Sequence, residues 1–380
     1  MKFKAVLFSF LMAGLIFNAC AKEIDTTDYK KDEISIIKKD EKKDIRKKEN
    51  HKEISDEEKI QSINESIKNL NIRYQNNKID EENYNAKLNN LNLALESINE
   101  RINMNKIEIS NLKNLKIGMN MVSATIDGQT RYFKVYKPSD LKEENTSLVF
   151  RFHGSGSTNS VDPAPFIKHI TKSYSLNKVA DNNNFIAIYP AAIVDDNNNC
   201  GWYQKSQDSD LKFFDLIVKS FLDNFSNVDE NRIYVTGHSS GGIFSFELAG
   251  KRENIIAASV PVSGQYNLMD KKTNEIKDLD FLNNNISIPL RAYNGTLDSI
   301  VNYDAVKNNM DNWIEYQNKG SKDNYKENNT KIEDYNITIK SYEDGLSDIQ
   351  LYTVHDEGHG ISWDKIAPSI WEFMNSHPKK

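Results

Sequence analysis

The sequence predicts an α/β domain in which helices cover both faces of a mostly parallel sheet, with a helical segment in front of it. Beyond residue 116 several short apolar segments are apolar almost throughout, which is typical of strands buried on both faces. Helical stretches such as LKFFDLIVKSFLDNF (211–225) lie between them, and this alternation favours a parallel sheet. The apolar segments are SLVFRF, NFIAIYP, RIYVTG, AASVPV, SIPLRAY and DIQLYTV.

A β-hairpin is expected to open this domain. The segment MVSATIDGQTRYFKVYKP (121–138) has two apolar stretches on either side of Asp127 and Gly128. An Asp-Gly pair favours the tight turn that joins two antiparallel strands. We therefore place the start of the globular domain at residue 117 and its end at residue 380.

The first twenty residues predict export. MKFKAVLFSFLMAGLIFNAC has two lysines, an apolar run too short to cross a bilayer comfortably, and the small residue Ala19 before Cys20. The pattern resembles a bacterial lipobox, with Phe17 and Asn18 as departures, and the resemblance implies that Cys20 is lipidated. A plain cleaved signal and an uncleaved anchor are the alternatives. The expected location is the cell membrane or outer membrane, facing the periplasm or the cell surface.

Residues 21–59 are expected to form a charged tether, as coil or as a solvated helix. They are dominated by Lys, Glu, Asp and Ile, and Tyr29 is their one aromatic residue. A segment of this composition buries too little apolar surface to fold by itself.

Residues 60–116 predict two amphipathic helices. The segment QNNKID (75–80) separates them, and Asp80 is the expected N-cap of the second. Periodicity does not distinguish an antiparallel hairpin from a coiled coil with a second copy of the chain. A helical spacer and a self-association device are therefore both expected roles. The apolar positions at helical spacing are Ile60, Ile63, Ile67, Leu70 and Tyr74, then Tyr84, Leu88, Leu91, Leu95, Ile98 and Ile102.

The motif Gly237-His238-Ser239-Ser240-Gly241 marks a candidate nucleophile. It follows the apolar segment RIYVT, where a strand that turns sharply into a helix needs glycines and lifts a serine hydroxyl clear of the sheet. Such a short pattern is weak evidence by itself, because a strand can also end in small residues. Ser239 becomes a nucleophile only if a histidine and a carboxylate accompany it.

The chain has seven histidines, and His359 is the best candidate base. In this kind of site the base follows the nucleophile in the chain. The segment DEGHGIS places His359 between glycines in a loop after the last predicted strand, whereas His355 is still within the strand pattern and is expected near the core. The histidines set aside are His51 in the tether, His153 and His169 before the motif, His238, which is expected to point away from Ser239, and His377 near the end.

Asp298 is the candidate acid. It lies in the turn NGTLDSIV, directly after the predicted strand SIPLRAY, and Asp304 is the alternative further along. The resulting chain order is Ser239, Asp298, His359, as in hydrolases built on a strand-turn-helix nucleophile motif.

Acyl transfer also needs two N–H donors for the oxyanion of the tetrahedral intermediate, each worth about 3 to 4 kcal/mol. One expected donor is the backbone N–H of Ser240. The other is the backbone N–H of Ser155, in the loop His153-Gly154-Ser155 that follows an earlier strand.

These motifs in this order resemble the polyhydroxybutyrate depolymerase and feruloyl esterase-like group of α/β-hydrolases, related to carbohydrate esterase family 1. The resemblance covers about residue 118 to the C-terminus. It implies the α/β-hydrolase fold, a serine esterase with Ser239, Asp298 and His359 as its triad, and Trp202 and Tyr203 as pocket-lining aromatics; a core position for Trp202 is the alternative.

Two departures from this group concern the site. Members often have a cysteine where Ser155 stands and another near Cys200, so that bridge cannot form here and the loop around Trp202 is expected to be more mobile. The usual GHTWPG-like ending is replaced by GHGISW (358–363). Loops 156–183 and 304–347 are expected to shape the pocket, the second as an insertion over the site.

The expected function is an exported, lipid-anchored serine esterase. Its substrates would be acyl or feruloyl esters on polysaccharide, or hydroxyalkanoate esters. A serine peptidase of the same fold, which normally brings a propeller or large cap, and a non-catalytic surface binding lipoprotein are the alternatives. No cofactor or metal is expected, and the net charge of −6, more negative without the two signal lysines, argues against a nucleic-acid partner.

Overall fold

The computed structural model describes residues 55–157, 175–194, 199–202, 207–266 and 288–379. It divides into two compact units, Met1–Asn103 and Met104–Lys380. The predictions for the signal peptide with Cys20, for most of the tether and for Tyr203 fall outside the described residues.

In the first unit two helices, α1 (Asp56–Gln75) and α2 (Glu81–Asn103), pack as a hairpin around a short connection. The rings of Tyr74 and Tyr84 stack across it with their centroids 4.2 Å apart. Asp80 accepts the Asn83 N–H at 2.8 Å, which confirms it as an N-cap. Helix α1 begins earlier than predicted because Ser55 and Glu58 form a capping box.

The second unit contains one large sheet with helices between its strands. The strands of this unit are β1 (Asn105–Glu108), β2 (Gly118–Ile126), β3 (Gln129–Lys137), β4 (Thr146–Phe152), β5 (Gly156–Ser157), β6 (Phe185–Pro190), β7 (Asn199–Cys200), β8 (Val228–His238), β9 (Ala258–Val262), β10 (Leu290–Gly295), β11 (Tyr325–Ile332), β12 (Tyr335–Tyr342) and β13 (Ile349–Val354). Strands β5 and β7 form a separate two-stranded sheet. The helices of the unit are α3 (Ser175–Ala180), α4 (Gln207–Asn224), α5 (Ser240–Lys251), α6 (Tyr303–Asn312) and α7 (Trp363–Ser376).

The sheet is mostly parallel, as predicted. Its strand order is β1-β2-β3-β6-β4-β8-β9-β10-β13-β12-β11, and the central run from β6 to β13 is parallel throughout. The hairpin β2–β3 turns at Asp127 and Gly128, both with positive φ, as the Asp-Gly pair predicts. Strand β1 pairs with β2, so the second unit begins before the predicted boundary at residue 117.

Side chains of the central strands alternate between two hydrophobic cores. On β4, Leu148 and Phe150 enter one core and Val149 enters the other. The first core is covered by α4, α5 and α6, and the second by α3 and α7. Helices on both faces explain why the strands are apolar without alternation. No helix in the described part of the chain is long and apolar enough to span a membrane.

Residues 304–347 form a helix and a hairpin at the edge of the sheet where an insertion in a loop is expected from the sequence. After α6 and a π-helical turn (Trp313–Gln317), the hairpin β11–β12 pairs with β13 and extends the sheet at its edge. One face of β12 is apolar, since Tyr335 and Ile337 pack into the second core, while β11 is almost fully exposed. Because β11 is polar along almost its whole length, it lacks the apolar pattern from which a strand is predicted.

Candidate active site

Ser239 lies at a strained corner between β8 and α5. Its backbone has φ 56° and ψ −118°, in the positive-φ region that residues other than glycine rarely adopt. Two hydrogen bonds hold this conformation: the Ser239 N–H donates to the Val262 carbonyl at 3.0 Å, and the Ile243 N–H donates to the Ser239 carbonyl at 2.9 Å. The corner has the geometry expected of a nucleophile on a strand-turn-helix motif.

Gly241 lets the end of β4 approach this corner. A Cβ at Gly241 would collide with the Phe152 carbonyl oxygen, so a larger residue would push β4 and α5 apart. The close approach brings the loop after β4 against the serine: a Cβ built on Gly154 would lie 3.2 Å from the Ser239 Cβ. The loop predicted to supply an oxyanion donor therefore lies beside the candidate nucleophile.

Asp298 and His359 form the carboxylate–imidazole pair that the sequence predicts. His359 Nδ1 lies 2.9 Å from Asp298 Oδ2 and 3.1 Å from Oδ1. The Asp298 side chain is 0 % exposed, and its Oδ1 accepts the N–H groups of Ile300 (3.0 Å) and Val301 (2.8 Å). Because a carboxylate only accepts, Nδ1 carries the proton and Nε2 is left free to accept one.

The structure does not join the serine to the imidazole directly. The Ser239 hydroxyl makes no hydrogen bond to any other described residue, His359 included. Hydrogen bonds of this kind often tighten only when substrate binds. The alternative acid Asp304 lies exposed in the first turn of α6, with no bond to His359.

His355 is exposed and lies just after β13, so the expectation of a near-core histidine is wrong. Its Nε2 is 2.7 Å from the Thr338 hydroxyl on β12. The reason is the unpredicted hairpin, which supplies a polar neighbour at the end of the strand.

His238 does not simply point away from the site. Its Nε2 lies 2.6 Å from the His359 carbonyl oxygen, and the two rings have centroids 4.7 Å apart. Since a carbonyl can only accept, His238 carries a proton on Nε2. Burial lowers its pKa from 6.5 to about 4.

This shift predicts a pH dependence of stability. Between pH 6.5 and about 4 the unfolded chain binds a proton at His238 that the folded chain does not. The free energy of unfolding should therefore fall as pH is lowered through this window, by at most about 1.4 kcal/mol per pH unit from this group. Urea unfolding of wild type and His238→Gln at several pH values measures the effect. If the free energy of unfolding depended on pH equally in the two proteins, the assignment of this pH dependence to His238 would be wrong.

His153 holds the candidate oxyanion loop in place. Its Nε2 accepts the Ala192 N–H at 3.1 Å, so Nδ1 carries the proton and donates to the Gly154 carbonyl at 2.7 Å. In a trans peptide the N–H points opposite to the C=O. The Ser155 N–H therefore points away from the His153 ring, and Ser155 itself is exposed.

Ser240 is the first residue of α5, where a backbone N–H has no partner within the helix. The two expected oxyanion donors thus belong to the residue directly after Ser239 and to the loop that approaches the Ser239 side chain at Gly154. Neither position needs a particular side chain, since both donors are backbone groups.

A short backbone ladder joins the loop after Ser155 to the segment that contains Cys200. Gly156 and Ser157 pair with Cys200 and Asn199 as the two-stranded sheet β5–β7. The Cys200 thiol is buried and donates to the Ala192 carbonyl at 3.5 Å. Backbone pairing thus ties the Ser155 loop to the Cys200 segment without a bridge.

Trp202 lies in the core, the alternative that the sequence leaves open beside a pocket-lining role. Its side chain stacks on Phe244 at 4.9 Å and meets the edge of Phe152 at 5.0 Å, and only 4 % of the residue is exposed. Packing against these two rings, one on β4 and one on α5, accounts for the burial of Trp202.

No family model matches the chain. It is 25 % identical to a bifunctional acetylxylan esterase/xylanase of Neocallimastix patriciarum over 252 residues, which is 65 % of this chain and 33 % of that protein. It is 31 % identical to feruloyl esterase D of Neurospora crassa over 147 residues, which is 38 % of this chain and 48 % of that protein. The chain thus spans from a third to about half of the length of these curated relatives.

Among solved structures, an acetyl xylan esterase from Aspergillus awamori superposes with a TM-score of 0.51 at 15 % identity, covering 67 % of this chain and 99 % of that one. Together with the strand order, this likeness establishes the α/β-hydrolase fold.

Proposed function

We propose that the protein is a serine carboxylic-ester hydrolase in which Ser239 is the nucleophile, His359 the general base and Asp298 the acid that orients it. The observation that carries the proposal is the buried Asp298 carboxylate 2.9 Å from the His359 imidazole, in a fold whose strained corner presents Ser239. Curated relatives named as acetylxylan and feruloyl esterases support it.

The reaction begins with attack of the Ser239 hydroxyl oxygen on the ester carbonyl carbon. The hydroxyl proton passes to Nε2 of His359, and the Asp298 carboxylate stabilises the imidazolium that forms. Backbone N–H groups of Ser240 and Ser155 donate to the oxyanion. The intermediate collapses as His359 protonates the leaving alcohol, which leaves an acyl-enzyme.

Water then hydrolyses the acyl-enzyme by the same groups. Nε2 of His359 accepts a proton from the attacking water, whose oxygen bonds the acyl carbon. The bond between that carbon and Ser239 Oγ then breaks, His359 returns the proton to Oγ, and the carboxylic acid leaves. No step needs a metal or a redox partner.

The proposed substrates are acyl esters of polysaccharide, acetyl or feruloyl. The names of the relatives support this class over hydroxyalkanoate polyesters. A hydrolysis assay of the chain from residue 21 onward tests it on acetylated xylan, a feruloylated oligosaccharide and a hydroxybutyrate oligomer. We expect release of acetate or ferulate; hydrolysis of the hydroxybutyrate oligomer alone would contradict the substrate class and leave the esterase chemistry intact.

We further propose that Cys20 anchors the chain to a membrane, with residues 21–103 as tether and spacer and the hydrolase domain beginning at residue 104. The support is the apolar segment that ends in Ala19 and Cys20. A covalent lipid provides membrane affinity without a membrane-spanning helix.

Cys20→Ala is expected to abolish labelling by a clickable palmitate analogue and to release the protein from the membrane fraction. The matched control is Cys200→Ala, because Cys200 is the chain's other cysteine and is buried. The control should keep its label. Equal labelling of wild type and Cys20→Ala would show that the lipobox interpretation is wrong.

A further inference from the structure

His238 bridges the two loops that flank the candidate nucleophile. On one side its Nε2–H donates to the His359 carbonyl at 2.6 Å. On the other side, a Cβ built on Gly154 would lie 3.1 Å from its Nδ1, so the ring packs against the Gly154 backbone. The residue directly before Ser239 thus contacts the loop of the base and the loop of an oxyanion donor.

The loop that carries His359 is also held near its two ends. It runs through residues 355–362 between β13 and α7, without helix or strand. At its start the His355 N–H donates to the Asn336 carbonyl and the Asp356 N–H donates to the Thr296 hydroxyl, each at 3.0 Å. Further along, the Leu297 N–H donates to the Glu357 carbonyl and the Ser362 N–H donates to the Tyr335 hydroxyl, each at 2.9 Å. Between these points the backbone of the loop is held by the His238 bond at His359 itself.

The Asp298 contact and the His238 contact constrain different parts of His359. The carboxylate at Nδ1 fixes the tautomer and the rotation of the ring. The His238 bond at the carbonyl fixes the backbone from which the ring projects, and it does so from the corner that holds Ser239. The second contact thus links the backbone of the base to the residue directly before Ser239.

We infer that His238 is a positioning residue that fixes the base loop relative to Ser239 through its Nε2–H bond to the His359 carbonyl. The inference rests on the proposed function for its effect on catalysis, and on the structure alone for its effect on the loop. The lowered pKa of His238 keeps the ring neutral, so it adds no positive charge beside the imidazolium that His359 becomes.

The test compares three substitutions in the full chain. His238→Gln places an amide N–H about where Nε2 stands, His238→Asn places one only about where Nδ1 stands, and His238→Ala removes the donor. On an activated aryl acetate we expect kcat to fall roughly 100-fold for His238→Ala and His238→Asn, with KM changed less than about threefold. His238→Gln should recover to within about fivefold of wild type. His355→Ala removes the exposed ring at the start of the loop, which bonds Thr338 and not His238; it is the control and should keep wild-type turnover.

Hydrogen exchange of the peptide spanning residues 356–362 supplies a readout that does not depend on activity. We expect faster exchange in His238→Ala and His238→Asn, and wild-type exchange in His238→Gln. Unchanged exchange in His238→Ala, or a His238→Gln protein as slow in turnover as His238→Ala, would overturn the inference. If wild type hydrolyses no ester while exchange changes as expected, the proposed function fails and the anchoring role stands.

Discussion

Ser239→Ala is expected to lower ester turnover by roughly four to six orders of magnitude, because it removes the atom that forms the acyl-enzyme. His359→Ala should cost about as much, since the serine hydroxyl is a poor nucleophile without a base. The Ser239→Ala/His359→Ala double variant should be scarcely slower than either single variant, because the two residues act in one step and loss of either disables it. Steady-state kinetics on an activated aryl acetate measure all three.

His355→Ala is the matched control for the base. It removes an imidazole a few residues away that bonds Thr338 on β12 and has no contact with Asp298. Its turnover should stay near that of wild type. Wild-type turnover in Ser239→Ala, or loss of activity confined to His355→Ala, would contradict the assignment of nucleophile and base.

Asp298→Asn is expected to lower kcat by about 10⁴-fold while KM stays near its wild-type value. An amide nitrogen at Oδ2 would donate toward Nδ1 and force the imidazole into the tautomer that cannot accept the serine proton at Nε2. The shape of the side chain is preserved, and its oxygen can still accept the N–H groups of Ile300 and Val301. The effect should therefore be on chemistry and not on folding.

Asp304→Asn is the control for this substitution. Asp304 is the alternative candidate acid in the sequence, and it lies exposed at the start of α6. The Asp304→Asn variant should turn over like wild type. The urea midpoint of unfolding should equal that of wild type in both Asp298→Asn and Asp304→Asn. A larger loss in Asp304→Asn than in Asp298→Asn would contradict the assigned acid.

The central sheet could be predicted because its strands are buried on both faces and are apolar throughout. The pairing of Asp298 with His359 could also be predicted, since both follow parallel strands and the carboxyl ends of such strands meet at one edge of the sheet. The sharp corner at Ser239 follows from Gly237 and Gly241, which are needed where β8, α5 and the end of β4 crowd together.

Other features depend on contacts between distant residues and leave little trace in the sequence. The hairpin β11–β12 is polar along β11, so its strand character comes from pairing and not from an apolar pattern. Trp202 is buried because Phe152 and Phe244 come together around it. His238 is expected from the sequence to point away from Ser239, but the return of the chain at residue 359 gives its ring a partner beside the site.

One sequence signal was present and was missed. Ser55 followed by Glu58 is a capping box, which would have placed the start of α1 correctly. The boundary at residue 117 was misplaced for a different reason: β1 is short and gains its pairing only from β2.

Covalent labelling by a fluorophosphonate, followed by mass spectrometry of the labelled peptide, tests directly whether Ser239 is the activated nucleophile. We expect a single phosphonylated serine, Ser239, in the wild-type protein, with labelling abolished in Ser239→Ala and strongly slowed in His359→Ala. Labelling of a different serine, or undiminished labelling of Ser239→Ala, would contradict that role of Ser239.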